Sequence, residues 1–157
     1  MNLPSQIAKQ LRDLLYGGNW TGSNVKQHLV DVTWQQAMTK VDSLNTIVAL
    51  VYHMNYYMVA LVKVMQGGPL DAHDKYSFDH PSIESQQDWE KLLNRFWADA
   101  EALAGLIEQL PGSRLEENFL DGKYGTWYRN VAGVIEHTHY HLGQVVLIKK
   151  MILQKEA

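Results

Sequence analysis

The sequence predicts an all-α protein, most economically a four-helix bundle with a long crossover between its second and third long helices. Apolar residues recur at intervals of three and four through four long segments, which is the period of an amphipathic helix. No segment of comparable length alternates apolar and polar residues as a strand does. The chain has 157 residues, 46% of them hydrophobic and 20% charged, which is enough for one core. We therefore predict a single domain over residues 1–157.

The first long helix is predicted over residues 4–16, because its isoleucine and leucines recur at helical spacing. The pair Gly17 and Gly18 then ends the pattern, as glycines commonly end helices. A connecting region follows, and it contains a short predicted helix near residues 24–29.

The second long helix is predicted over residues 44–65. The sequence that starts at Thr33 has the form of a capping box, and the segment 33–42 is either continuous with this helix or set off by a bend. Residues 43–62 carry no formal charge and so have the composition of a membrane span. A helix buried in a soluble core accounts better for the polar residues among them, and we expect no membrane association.

The third long helix is predicted over residues 85–110 and the fourth over residues 126–154. Residues 67–84, between the second and third helices, reach the length of a neighbouring helix at roughly 3.3 Å per extended residue. A crossover of this kind makes helices two and three parallel and gives an up-down-down-up order. The alternative is that the same residues form a lid.

Charge and cysteine content exclude several classes of protein. The chain has 14 Lys and Arg against 17 Asp and Glu, a net charge of −3, and no basic tract, so we expect no nucleic-acid partner. The absence of cysteine excludes disulfide scaffolds, thiolate zinc sites and cysteine nucleophiles. Together with an N-terminus that lacks an unbroken apolar stretch, it gives the expectation of a cytoplasmic protein.

Histidine is the residue type that stands out, with seven in the chain and three of them within five residues. His137 and His141 lie one turn apart on an otherwise apolar face, whereas His139 points almost oppositely. His53 lies in the middle of a similar face of the second long helix. If the two faces meet, three neutral imidazoles converge, which suits a divalent transition metal with open positions for water. The alternative is that each is a hydrogen-bonded core residue.

Other chemistry is less well supported by the residues. A zinc protease of the His-Glu-x-x-His type is excluded, because Thr138 occupies the position of its glutamate base. No carboxylate lies on either histidine-bearing face, so we expect no protein general base of that kind. The segment 71–80 holds enough oxygen and nitrogen for a second metal site, but a solvated crossover explains it better.

A few residues near the histidines are candidates for a cavity wall or a supporting contact. Gln144 lies on the histidine face and would hydrogen-bond a ligand ring, or else another helix. Asn130 and Tyr57 are candidates for the cavity lining, with a surface position and core packing as their alternatives. Gly143 inside a helix predicts a close approach of another helix. Four tryptophans are predicted in the core or in a dimer interface: Trp20, Trp34, Trp97 and Trp127.

The run His-Thr-His-Tyr-His-Leu-Gly-Gln over residues 137–144 resembles the signature of the DinB-like superfamily of four-helix metalloproteins. That signature has two histidines four apart, with the second followed by x-Gly-Gln. The resemblance covers essentially the whole chain, including the helix count and the long second connection. It implies a divalent metal site formed by His53, His137 and His141, an up-down-down-up topology and frequent homodimers. His139 matches no ligand position.

Two functional hypotheses remain open. The resemblance implies a hydrolase or a thiol S-transferase whose metal activates water or a low-molecular-weight thiol. Zinc and nickel are the foremost candidates for the metal, with iron and manganese as alternatives. The other hypothesis is a stress-associated bundle protein that binds metal or a small ligand without catalysis. In either case we expect a small-molecule ligand and a homodimer, and the sequence identifies no catalytic residue.

Overall fold

The computed structural model describes residues 1–156, which form six α-helices and no β-strand. Two 3₁₀ helices, Asp74–Tyr76 and Gly112–Glu116, lie in the connections. The predicted all-α class is therefore confirmed. The helices are α1 (Leu3–Tyr16), α2 (Val25–Leu29), α3 (Trp34–Met38), α4 (Ile47–Met65), α5 (Gln86–Glu108) and α6 (Trp127–Glu156).

Side-chain caps determine where most of these helices begin. Asn2, Thr46 and Ser85 precede α1, α4 and α5, and each accepts a hydrogen bond from the backbone N–H three residues later. Thr33 and Gln36 form both bonds of a capping box at the start of α3. Each cap satisfies a backbone donor that the first turn of a helix leaves without a partner.

The segment that precedes α4 is separated from it by a bend. Helix α3 ends at Met38, and Asp42 has a positive φ of 47°, a backbone conformation that interrupts helical geometry. Helix α4 then starts at Ile47, because Thr46 is its cap. The sequence left this point open, and the structure decides it in favour of two separate helices.

The core forms where the four long helices meet. Helix α4 contacts α5 and α6, and α1 contacts the same two helices. The largest fully buried side chains come mainly from α1, α4 and α5, while α6 adds a row of buried valines and isoleucines. The residues with the largest buried volume include Leu11, Leu14, Met54, Met58, Trp89, Phe96 and Leu103.

Helix α4 is long and apolar enough to cross a bilayer, with a mean hydropathy of 1.4 over 18 residues. Inside the protein, however, 56% of that stretch is buried against other elements. Length and hydropathy are weak evidence for a membrane span, because the central helix of a packed core has the same properties.

Candidate metal centre

Three histidines from two helices converge on one point. His53 comes from the middle of α4, and His137 and His141 come from successive turns of α6. The Nε2 atom of His137 lies 3.0 Å from Nε2 of His53 and 3.0 Å from Nε2 of His141. Nitrogen ligands about 2.1 Å from one ion lie about 3.0 to 3.4 Å apart. The three side chains are therefore close enough to hold a single metal ion.

Hydrogen bonds at the outer ring nitrogens fix the tautomers of two of these histidines. Gln144 Oε1 accepts a bond from His141 Nδ1 at 2.6 Å. Ser77 donates its only hydroxyl proton to the backbone oxygen of Asp74 at 2.7 Å, so its Oγ accepts from His53 Nδ1 at 2.9 Å. In their neutral forms both rings therefore present an Nε2 lone pair to the centre of the cluster.

His137 has too few protons to satisfy both of these lone pairs. If its proton is on Nε2, it can be donated fully to only one neighbour; if it is on Nδ1, three lone pairs face one another. Its Nδ1 is buried and has no hydrogen-bond partner among the described residues. A cation at the centre removes the repulsion by accepting all three lone pairs, so the donor set fits a divalent transition metal.

The environment keeps all three rings neutral. Burial, followed by the nearby His141 and His53, lowers the pKa of His137 to about 4. Burial, followed by the charge of His141, lowers the pKa of His53. Burial also lowers the pKa of His141, against the opposing effect of its hydrogen bond to Gln144. Because a metal binds the deprotonated imidazole, these shifts favour ligation at neutral pH.

The connection between α4 and α5 covers the histidine cluster. Ser77 is fully buried and bonded to His53. Phe78 stacks on the His53 ring, with centroids 3.9 Å apart and an interplanar angle of 7°. Most of residues 71–80 are exposed, as a solvated connection predicts, although Ser77 is buried and the side chains of Ser77 and Phe78 pack against His53.

The same connection brings a carboxylate to the site. Asp74 accepts a hydrogen bond from the Tyr57 hydroxyl at 2.6 Å, and the Tyr57 ring packs edge-on against His53 and His137. Burial, followed by the hydrogen bond to Asp74, raises the pKa of Tyr57 to about 12, so it stays a donor. No carboxylate was expected from the two helix faces, and this one comes instead from the 3₁₀ turn between the helices.

The cluster lies in the wall of an open cleft of about 930 Å³. Tyr57 and Asp74 line it together with the histidines. Asn130 lines it nearer the start of α6, where its side-chain amide donates to the backbone oxygens of Tyr124 and Thr126 at 3.0 and 2.8 Å. A cleft of this size accommodates a small organic molecule.

Two other residues of α6 lie apart from the cluster. His139 is half-buried and lines a separate cavity with residues of α1, among them Gln6 and Asp13. Gly143 is exposed, and a Cβ atom placed there would meet nothing within 4 Å. The predicted close approach of another helix at Gly143 is therefore wrong within this chain, because that side of α6 faces solvent.

Fold and site together define an all-helical protein whose three clustered histidines can hold a metal ion beside an open cleft. Comparisons with protein-family models, with curated proteins and with solved structures found no match to this chain.

Proposed function

We propose that this protein is a DinB-like metal-dependent enzyme that acts on a small molecule, as a hydrolase or a thiol S-transferase. The observation that carries the proposal is the convergence of His53, His137 and His141 in the wall of an open cleft. Structural zinc sites are closed by four protein ligands, whereas three protein ligands leave a position for substrate. When bound, a divalent ion among three neutral ligands keeps its full charge and lowers the pKa of water or of a thiol.

The contacts of α1 with α5 support the helix order of a DinB-like bundle. Arg12 pairs with Glu101 at 2.8 Å, and the ring of Tyr16, one turn later in α1, lies 5.8 Å from that of Trp97, one turn earlier in α5. From the first contact to the second, the residue number rises in α1 and falls in α5, which indicates that the two helices are antiparallel.

The contacts of α4 with α6 indicate a second antiparallel pair. Leu50 lines a small cavity with Ile148, and Tyr57, two turns later in α4, packs on His137, three turns earlier in α6. This arrangement brings the histidines together, because His53 lies between the two positions on α4 and His141 lies between the two positions on α6.

Helices α4 and α5 are proposed to run parallel, as the long crossover predicts. Tyr52 shares a cavity with Asp88, while Lys63 shares another with Asp99. The positions that share a cavity therefore rise in residue number along both helices, which indicates parallel neighbours. With the two antiparallel pairs, this supports an up-down-down-up order.

The chain supplies groups that orient the ligands and receive a proton. Ser77 and Gln144 hold the outer nitrogens of His53 and His141 and so set the orientation of both rings. Tyr57 holds the carboxylate of Asp74 at Oδ1, which leaves Oδ2 to accept a proton from a nucleophile in the cleft.

Replacement of Asp74 by Asn tests this assignment. The variant keeps the metal, because none of the three histidines is changed. Its turnover is expected to fall by about a hundredfold or more, since a positioned general base contributes roughly 10²–10⁴ to a rate. Metal content and steady-state kinetics measure the two effects separately.

Asp79→Asn is the matched control, because Asp79 belongs to the same connection, is exposed and does not line the cleft. Its kinetics are expected to equal those of the unchanged protein. Equal turnover in the two variants, or loss of metal from Asp74→Asn, would contradict the proposed role.

The proposed function itself is tested by metal analysis of the purified protein and a screen for reaction. The screen offers low-molecular-weight thiols with electrophiles, and separately simple esters, with and without a chelator. Turnover that disappears on chelation and returns with zinc or nickel supports the enzyme. If chelation lowers only the melting temperature and no reaction is found, the non-catalytic metal-binding alternative is correct. The homodimer and the cytoplasmic location stay predictions.

A further inference from the structure

The cleft that contains the histidines has a second polar end, formed by Lys123 and Arg129. Both side chains line the cleft and both residues are exposed. Neither has a carboxylate within 4.0 Å among residues 1–156, in contrast to Arg12 and Arg95, which are ion-paired. Two cations without an ion-pair partner in one concave surface attract an anion.

Both cations have local contacts that do not neutralise their charges. Arg129 lies over Gly125, whose φ is +78°, and a Cβ atom at Gly125 would come within 2.8 Å of Arg129 Cδ. The glycine therefore permits both the turn and the position of the arginine stem. The Lys123 ammonium lies 5.2 Å from the centroid of the Tyr124 ring, within range of a cation–π interaction.

The two ends of the cleft are well separated. Arg129 precedes His137 by eight residues of α6, which is about 12 Å along the helix axis at 1.5 Å per residue. The exposed tyrosines Tyr124, Tyr128 and Tyr140 also line the cleft. Aromatic side chains offer apolar contact area along an elongated ligand whose two ends are polar.

The acidic residues of the cleft lie at only one of its two ends. Asp74 and Glu136 also line it, but both belong to the histidine end: Asp74 through the 3₁₀ turn described above, and Glu136 as the residue before His137. Their charges oppose a second anionic group there. Once the metal-binding atom of a ligand occupies the histidine end, an anionic group at the other end of the same ligand is therefore favoured at the opposite end of the cleft, where the two cations lie.

We propose that the ligand of this cleft is an elongated small molecule that carries a carboxylate or phosphate group, bound by Lys123 and Arg129, at the end opposite its metal-binding atom. The guanidinium of Arg129 suits either group, because its paired N–H donors match two oxygens of one oxyanion. This inference rests on the proposed function only for the end of the ligand that reaches the histidines. The oxyanion end is assigned from the two cations alone.

Matched thiol probes test the inference on the metal-loaded protein. Calorimetry compares mercaptohexanoate with mercaptohexanol, and mercaptoundecanoate with mercaptoundecanol, so that each pair differs only in the anionic group. The acid of at least one pair is expected to bind about tenfold more tightly at low ionic strength, as two favourable contacts with exposed charges allow. The advantage is expected to shrink with added salt. The corresponding mercaptoalkyl phosphates show which oxyanion is preferred, and an advantage for either supports the inference.

Paired substitutions assign the effect to the two cations. The double variant Lys123→Gln, Arg129→Gln is expected to reduce the advantage of the acid to less than about twofold and to leave the affinity for the neutral thiol unchanged. The double variant Lys150→Gln, Lys155→Gln is the control. It removes the same net charge from the far end of α6, where neither residue has an ion-pair partner within residues 1–156, and is expected to keep the advantage.

The outcomes separate this inference from the proposed function. If the neutral thiols bind and no acid or phosphate binds more tightly, the inference is overturned and the proposed function stands. The same holds if the advantage survives in the first double variant or disappears equally in the control. If no thiol of any charge binds to the metal-loaded protein, the inference and the thiol S-transferase form of the proposed function are overturned, and the ester screen alone decides the hydrolase form.

Discussion

His141→Ala is expected to lose its bound metal, and His53→Ala and His137→Ala are expected to lose it equally. Each side chain contributes one of three nitrogens that converge within 4.8 Å of one another, so each variant leaves only two imidazoles. Removal of an outer-shell partner of a metal ligand already weakens binding by roughly 10- to 100-fold. Loss of the ligand itself is therefore expected to weaken binding by more than about a hundredfold.

His139→Ala is the matched control for these three variants. It removes a histidine from the same helix, but His139 lines a different cavity, towards α1. Elemental analysis of the four purified proteins after dialysis decides the assignment. Metal retained in His53→Ala, or lost from His139→Ala to the same extent as from His141→Ala, would show that a different group holds the ion.

Loss of metal is not expected to unfold these variants. The core is built from the apolar faces of the four long helices, and the only buried histidines among residues 1–156 are His53 and His141. The helical circular dichroism signal of each alanine variant should therefore match that of the unchanged protein after chelation. A variant that is unfolded at 25 °C would mean that the metal supplies folding energy, as it does in small zinc domains.

The helices and the histidine pair were predictable from the sequence because both follow from regular periods and local caps. The capping box at Thr33 forms as its sequence indicates. The period of 3.6 residues placed His137 and His141 on one face and His139 on another. His53 could be assigned to the same cluster because it is the one imidazole in the middle of an otherwise apolar face of its helix.

The groups that surround the histidines were not predictable in the same way. Ser77, Phe78 and Asp74 lie in a connection without a helical period, so their directions depend on the 3₁₀ turn and on what the connection packs against. Gly143 shows the converse error, because a glycine in a helix suggested the close approach of another helix, whereas this position faces solvent. Trp20 is fully exposed in the turn after α1 and so is not a core residue; its place in a dimer interface stays a prediction.

Trp89→Ala is expected to be the most destabilising of the single tryptophan replacements. Trp89 lies in the first turn of α5, is fully buried and donates its indole N–H to the backbone oxygen of Val32 at 2.9 Å. It therefore joins α5 to the segment between α2 and α3. Truncation of a buried tryptophan costs about 3–5 kcal/mol. For a chain of this size that corresponds to a fall in melting temperature of about 10 °C.

Two further variants separate the volume of the side chain from its hydrogen bond. Trp89→Phe keeps most of the apolar volume but leaves the Val32 oxygen without its partner, so it is expected to cost about 1–3 kcal/mol. Trp20→Ala removes the same side chain from a fully exposed position and is expected to change the free energy of unfolding by less than about 0.5 kcal/mol.

Thermal unfolding of the three variants measures the order of their stabilities, which is expected to be Trp20→Ala, then Trp89→Phe, then Trp89→Ala, from the most to the least stable. Equal melting temperatures for Trp89→Ala and Trp20→Ala would place Trp89 outside the core, and the start of α5 would then need a different anchor. The stated order would show that α5 is fixed at its first turn, next to the connection that packs against His53.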